Sequence, residues 1–484
     1  MKQMPRLVLC FALIISAGIA KFAWAAEPGA ERLVRLNVAA TDSKGDPVTD
    51  LNASDVRVRE DGQVHPTVFF RFAGPKRVPL PIKAGEIDNH PEAIPTIVLL
   101  DRWNEQFSTS ASAWIDLGAA LRNNESAENI FIYFLTNHGD LFPVNPLPPA
   151  DTDLRAAKPL TPEELRAKLD DAVRKLNGLR SVDVLDPILK ANTTLKALDA
   201  LAADTSAIAG RKNLVWVTHG FPLSVRLPGA DWIDFTPQVR ALSGGATLAQ
   251  IAIYPVDQSS QGAGAQMGTL AQQTLQLFAS LTGGRWYPSN NTSDALAGAV
   301  ADSRGNYRMA YRSPIREKDK KEHKIHLESM RKGVRLLTRE GYFGDFRDPD
   351  PDLLERVLLT NESHSPFDAT EIAVRAASSA GAAGKSHLAI RIDPVDVLLE
   401  KQGEKYEADL AVMFAFYGGD VLKSTSQPVR LSFGLTEDQF NQAQNGGVSF
   451  SQDVAVESGV DQIRVMVFDR KLYALGSVTL RAPK

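Results

Sequence analysis

Cysteine is almost missing from this chain. Its 484 residues contain one, Cys10, inside an N-terminal segment that reads as a cleaved secretory signal. Lys2 and Arg6 form a short basic start, Leu7 to Ala20 is apolar, and Ala23-Trp24-Ala25 offers the small residues that a signal peptidase reads. With residues 1–25 removed the mature chain has no thiol. That excludes disulfide scaffolds, cysteine–zinc sites, cysteine nucleophiles and iron–sulfur clusters. A basic excess is missing too: 54 Lys and Arg face 58 Asp and Glu, for a net charge of −4. Nucleic-acid binders usually concentrate positive charge, so no nucleic acid is expected as partner. Long apolar runs are scarce. A bilayer-spanning helix needs about 20 apolar residues, and the run that ends at Lys21 is shorter. The mature chain is therefore expected to carry no membrane span and to work outside the cytoplasm, in a periplasm or outside the cell.

What is present is ordinary globular material, 44% hydrophobic and 23% charged. Val34, Leu36, Val38 and Ala40 alternate with other residues, and alternation resumes at Val56 to Arg59 and through Val64 to Phe72. This predicts an antiparallel β-unit followed by a Pro-rich connector. From Thr96 the pattern changes to strands between helices. Ile97–Leu100, Ile130–Leu135, Leu214–Val217 and Ile251–Tyr254 are continuous apolar runs, as expected of strands buried on both faces. Thr161-Pro162-Glu163-Glu164 is a capping box before the stripe Leu165, Leu169, Val173, Leu176. Further helices are expected at about 193–203 and 269–281. Strand patterns return at Tyr307–Tyr311, His323–Met330 and Val334–Phe343, and again from His387 to Leu480. The expected division is a signal peptide (1–25), a discontinuous β-sandwich (27–75 and 304–345), an inserted α/β domain (93–303), a linker (346–384) and a C-terminal β-sandwich (385–484).

Several of these residues resemble a known family. The stretch from Val38 to Asp61, containing DSKGDPVTDLNASDVRVREDG, is similar to the entry motif of a VWFA-related secreted family best populated in Acidobacteria. Gly210-Arg211-Lys212-Asn213-Leu214-Val215-Trp216-Val217 with Gly220-Phe221-Pro222 looks like its central strand. Tyr307 to Tyr311 and Thr338 to Phe343 look like its closing strands. The resemblance implies an α/β plus all-β protein: a von Willebrand factor A-like doubly wound parallel sheet inserted in one β-sandwich and followed by a second.

In related metal-binding A domains the first strand ends in Asp-x-Ser-x-Ser, and later loops add a threonine and a second aspartate. Mg²⁺ wants such hard oxygen ligands in a near-octahedral array. Here the strand ends Asp101-Arg102-Trp103-Asn104-Glu105, so Trp103 and Glu105 stand at the serine positions. The later aspartate position is His219, and the threonine position falls at Asn192 or Thr193. Indole does not ligate Mg²⁺, and imidazole is a poor exchange for carboxylate. The expectation is a degenerate site made of Asp101, Glu105, Asn192, Thr193 and His219, with no metal and no cofactor.

Open α/β sheets place ligands at the C-terminal strand edge. The candidate ligand-binding residues there are Asp101, Trp103, Asn104, Asn137, His138, Thr193 and His219. Asp101 could instead be a structural carboxylate accepting nearby N–H groups, and Trp103 either a partner anchor or a core ring. Elsewhere the chemistry is thinner. Gly262 to Gly268 follows a strand, but its GxGxxxG spacing departs from the dinucleotide fingerprint and reads as a flexible loop. His323 and His326 fall on opposite faces of an alternating strand. The chain has no HExxH, Walker or GxSxG motif. The expected function is a non-catalytic interaction protein that engages a protein or glycan partner. The competing expectation is an exported hydrolase with an unrecognised site at the same sheet edge.

Overall fold

The computed structural model describes residues 32–75, 80–89, 94–104, 117–121, 129–148, 160–178, 186–226, 229, 231–258, 265–288, 291–314, 319–344, 350–382, 385–419 and 421–483. The signal segment, Glu105 and residues 262–264 of the Gly-rich stretch lie outside the described residues.

The alternation at the start makes β1 (Arg32–Thr41), with Val34, Leu36 and Val38 buried and Arg35 and Asn37 on the other face. β2 (Val56–Glu60) turns through Asp61 and Gly62, both at positive φ, into β3 (Gln63–His65). The single strand expected over Val64–Phe72 is two, because Pro66 interrupts the ladder and lets β4 (Thr67–Phe72) join a different sheet. Within the Pro-rich connector lies a short strand, β5 (Ile87–Asp88).

The strand-and-helix region supplies β6 (Thr96–Asp101), β7 (Ile130–Leu135), β8 (Leu141–Asn145), α1 (Pro162–Asn177), α2 (Pro187–Thr205), β9 (Lys212–Thr218), the hairpin β10 (Ser224–Arg226) and β11 (Trp232–Asp234), α3 (Thr236–Leu248), β12 (Ile251–Asp257), α4 (Ala265–Thr282) and α5 (Thr292–Arg304). Its five-stranded sheet has the order β12-β9-β6-β7-β8. The first four are parallel and β8 is antiparallel to β7. One face buries Leu195, Leu198, Leu242 and Phe278 from α2, α3 and α4. The other buries Leu165, Leu169 and Leu296 from α1 and α5. Two-sided cover is why every residue of β6, β7, β9 and β12 is buried.

The chain then returns as β13 (Asn306–Ser313), β14 (Glu322–Ser329), β15 (Arg335–Leu337) and β16 (Gly341–Phe343). β13 lies between β1 and β4, and β14 between β2 and β16. These two four-stranded sheets share one apolar cluster that includes Val38, Val58, Tyr307 and Ile325. His323 is buried on β14, its Nδ1 2.8 Å from Asp61 and its Nε2 3.0 Å from Asp319, while His326 is exposed.

Residues 346–384, expected as a linker, carry α6 (Pro351–Ser363) and β17 (Val374–Ala380). Small residues make β17 look like low complexity, yet it pairs on one side with β18 (Lys385–Ile392) and on the other with β5. Buried Arg375 donates to Asp88 at 2.7 Å, which ties the connector to this sheet. There follow β19 (Glu400–Gln402), β20 (Lys405–Gly418), β21 (Val421–Thr425), β22 (Val429–Leu435), α7 (Glu437–Gly446), β23 (Val448–Ala455), β24 (Gln462–Asp469) and β25 (Ala474–Arg481). β23 extends the β5-β17-β18 sheet, and β20 is flanked by β24 and β22. The large core between these strands also takes Phe69 of β4 and Ala310 of β13. The β1-β13-β4 sheet is thus covered on both faces.

Candidate functional site

The C-terminal edge of the parallel sheet is built around Asp101. Because β6 is buried between β7 and β9, its last residue is delivered into the interior, and Asp101 is 3% exposed. Its Oδ1 accepts the backbone N–H of Asn104 at 3.1 Å. Its Oδ2 accepts Asn104 Nδ2 at 2.7 Å, Trp216 Nε1 at 3.2 Å and Thr218 Oγ1 at 2.6 Å. Trp216 and Thr218 are two apart on β9 and therefore share the face turned toward the carboxylate.

The donors are themselves held. Asn104 Nδ2 also reaches Thr194 Oγ1 at 2.7 Å, and that hydroxyl donates to the Lys190 carbonyl at 2.9 Å. Thr218 Oγ1 accepts the Gly220 N–H at 2.8 Å. One oxygen of the network, Asn104 Oδ1, is buried with no hydrogen-bond donor among the described residues.

The sequence candidates separate into three groups. Asp101 and Asn104 are joined directly. Trp103 is 7% exposed, packs in the α2–α4 core and donates Nε1 to the Lys190 carbonyl at 3.2 Å. Of its two expected roles it has the core ring, because its edge is occupied and its faces are covered. The residue of α2 that reaches the Asp101 pair is Thr194, not Asn192 or Thr193: Asn192 is exposed and Thr193 is half-buried beside the β7–β8 turn. A Cβ on Gly139 would stand 2.9 Å from Thr193 Cγ2 and 3.6 Å from the Trp103 ring, so turn, helix and indole are neighbours.

On that turn Asn137 is half-buried and His138 is exposed, held by N–H donation from His138 to Thr136 Oγ1 at 3.2 Å. His219 follows β9 and is buried. Burial pushes its imidazole pKa below the ordinary value, against the charges of Asp101 and Asp257 and together with that of Lys190. It is neutral at pH 7.

Thr194, Trp216 and Thr218 are the site residues that sequence reasoning missed. Thr194 was accessible through helix register. Asp186 caps α2, accepting the N–H groups of Ile188 and Leu189 at 2.9 and 3.3 Å, with Pro187 in the first turn. Starting the helix there puts Thr194 on the buried stripe of Ala191, Leu195, Leu198 and Leu201. Trp216 carries no such signal, since its indole reads as core until its N–H is located.

The described residues do not fit a divalent cation. A carboxylate offers about four lone-pair sites, and Asp101 already accepts four donors. A cation would have to displace an indole and an amide that are fixed by packing, and the other buried carboxylate of this edge, Asp257, is held by Gln272 Nε2 at 2.9 Å. Among the described residues no three His, Cys, Asp or Glu side chains group as a metal-binding set, and no helix is long and apolar enough to cross a membrane.

No family model matches the chain, and no curated protein matches it. Among solved structures it is similar to the crystal structure of manganese-loaded Plasmodium vivax TRAP protein, at 11% identity and a TM-score of 0.27, over 53% of this chain and 95% of that one. At that score the likeness is weak, and the mixed α/β architecture stands on the strand order alone.

Proposed function

We propose that this chain is an exported, non-catalytic interaction protein. In this reading a von Willebrand factor A-like unit, inserted in one β-sandwich and followed by another, offers the C-terminal rim of its parallel sheet to a protein partner. The observation that carries the reading is the engagement of Asp101 by four hydrogen bonds, three to Oδ2 and one to Oδ1. A carboxylate so used organises the rim; it neither ligates a cation nor serves as a general base.

The rim's apolar exposure supports a protein partner over a glycan. By connectivity, α2 and α4 begin at this edge and the β10–β11 hairpin leaves β9 there. Leu189, Trp232 and Leu270 on these elements are 47%, 62% and 37% exposed. Exposed aromatic and aliphatic side chains at one edge are characteristic of protein recognition.

The test begins with the mature chain as bait in the native exported fraction, followed by titration of the purified partner. Trp232→Ser combined with Leu189→Ser and Leu270→Ser is expected to weaken binding at least about tenfold, the loss of a buried anchor. Chelators should leave it unchanged. Binding that survives the triple change overturns the reading. Turnover of peptide, ester or glycoside pools that Asp101→Asn removes would favour the hydrolase instead.

A further inference from the structure

The opposite edge of the same sheet, where β9 and β12 begin, opens into a cavity of about 460 Å³. Its walls come from all three parts of the chain: the 206–212 turn and the end of α3, β1 with the 338–343 segment, and α6 with the 472–475 turn. Hydrogen bonds hold these walls together. Asn37 Nδ2 donates to Gln250 Oε1 at 3.0 Å, Gln250 Nε2 to Glu371 Oε1 at 3.1 Å, and the Leu475 N–H to Glu371 Oε2 at 3.1 Å. The cavity is therefore a built feature of the junction.

The cations of the wall are engaged by the protein itself. Arg35 gives Nε and Nη2 to the Lys471 carbonyl and Nη1 to the Leu33 carbonyl. Lys212 gives Nζ to the carbonyls of Ile208 and Gly210. Arg211 Nη2 reaches Tyr254 Oη at 2.7 Å and the Gly283 carbonyl at 3.3 Å. Arg308 donates Nη1 to the Glu371 carbonyl at 2.6 Å, and its Nε lies 3.6 Å from the Glu371 carboxylate. Arg240 has Glu322 at 3.6 Å. Arg339 donates Nη2 to the Arg35 carbonyl at 3.3 Å, and both it and Arg32 lie over the Tyr342 ring. Three lining atoms have no hydrogen-bond partner, Arg211 Nε, Ser243 Oγ and Arg339 Nε, and each is itself covered by neighbouring atoms. An entering anion would have to break bonds that already hold the junction.

What the wall leaves open is apolar. Leu354, Val357, Leu358 and Asn361 stand three, four and seven apart on α6, so one face of the helix lines the cavity. Leu359, next in the chain, packs into the C-terminal part instead. The helix thus has two apolar faces, one packed and one bare. The α/β unit adds Ile208, Leu248, Ala249 and Leu281. Of this lining Leu248 and Val357 are 60% and 44% exposed, which places bare aliphatic side chains from two different parts of the chain at the mouth.

We propose that this cavity binds an uncharged, lipid-like small molecule: an aliphatic or aromatic body with at most one hydroxyl or carbonyl oxygen. Removal of apolar surface from water drives its entry. A formal charge on the ligand would lose water and meet no open partner in the wall. The volume is in the range of about 300–1,000 Å³ usual for small-molecule sites, which are mostly apolar and favour domain junctions. The site is at the far end of the sheet from the recognition rim and does not depend on that rim's function.

Fluorescence titration of the full mature chain with N-phenyl-1-naphthylamine, an uncharged apolar dye that brightens on leaving water, tests this. Saturation at one site per chain in the micromolar range is expected. Decanol should displace the dye at concentrations at least about tenfold below those needed with decanoate or decyltrimethylammonium, which must desolvate a charge. All three are used below their micelle concentrations. Leu248→Asp and Val357→Asp, at exposed positions where folding is spared, should each weaken the dye about tenfold or more by placing a carboxylate at the mouth. Val421→Ser removes an aliphatic side chain that is 57% exposed and lies outside the cavity, and should change nothing. Absence of saturable binding, displacement by either ion at or below the concentration of decanol, or an affinity unchanged in either aspartate variant would overturn the proposal. So would an equal loss in Val421→Ser, which would mark the dye as adsorbing to exposed side chains at large.

Discussion

The two edges of the parallel sheet carry charge in opposite ways. At the C-terminal edge two buried carboxylates end strands of the sheet: Asp101, whose Oδ2 takes an amide, an indole and a hydroxyl, and Asp257, which accepts Gln272 Nε2 at 2.9 Å. At the N-terminal edge cations outnumber carboxylates around an open cavity. The edge where α/β sheets ordinarily hold ligands is chemically closed, and the edge ordinarily spent on packing is left open. The difference arises from the chain's layout. Insertion of the α/β unit brings β1, β13 and α6 against the starts of β9 and β12, so a third and a fourth surface are available there to wall a cavity. Among the described residues nothing comparable covers the rim.

Four changes would break or sharpen this contrast. The largest effect is expected at the N-terminal edge from Gly284→Ala. A Cβ there would stand 1.9 Å from the Ile253 carbonyl oxygen, a backbone atom. Chemical denaturation should show a loss of about 4 kcal/mol, with backbone displacement rather than a cavity as the cause. A neutral outcome would mean that the start of β12 yields, and that the junction is not rigid.

Next is Asp101→Ala at the C-terminal edge. It strands the donors of Asn104, Trp216 and Thr218 in the interior, each costing about 1–3 kcal/mol when unsatisfied. A total near 3 kcal/mol is expected, since relaxation recovers part. A change within about 0.5 kcal/mol, as at an ordinary surface site, would show that the closure is not structural.

The third probes the buried cation of the N-terminal edge. Burial pushes the Lys212 amine down from 10.5 to about 7, against the charges of Glu371 and Glu362. Between those values the unfolded chain holds a proton that the folded chain has released, so stability rises with pH across the window and is lost as pH falls through about 7. Burial raises the Glu362 carboxyl to about 8, which withdraws stability over the same range, so the unfolding free energy should climb by only about 1 kcal/mol from pH 7 to pH 9, and Lys212→Met should turn that climb into a fall. A wild-type profile that falls over this range would contradict the assignment.

The smallest effect separates neighbouring threonines. Thr194→Val should cost about 1 kcal/mol by removing the acceptor of Asn104 and the donor to Lys190, while Thr193→Val stays within about 0.5 kcal/mol. Equal costs would return the helix register to the expectation from sequence.

Those threonines also show where sequence reading reaches its limit. The buried strands were legible because two-sided burial writes itself as unbroken apolar runs, and all four runs are parallel neighbours. α1 is legible from its capping box: Thr161 Oγ1 accepts the Glu164 N–H at 3.2 Å and Glu164 Oε2 accepts the Thr161 N–H at 2.8 Å. α2 was placed late because its start at Asp186-Pro187 lies before the apolar stripe, and the delayed start shifted the threonine by one position. β8 escaped because an edge strand with Pro143 lacks a long apolar run. The linker expectation failed for β17 because Ala and Ser are small, not because they are unstructured; its partners β5 and β18 are 280-odd and about ten residues away in sequence, separations that no local pattern encodes. The cation excess at the junction was equally invisible, since Arg32, Arg240 and Arg339 are distant in the chain and meet only in the fold.

The most direct test of the closed edge is calorimetric titration of the mature chain with Mn²⁺ and Mg²⁺, paired with Asp101→Asn. No saturable heat that depends on Asp101 is expected. Micromolar uptake at one site per chain, abolished by Asp101→Asn, would contradict it.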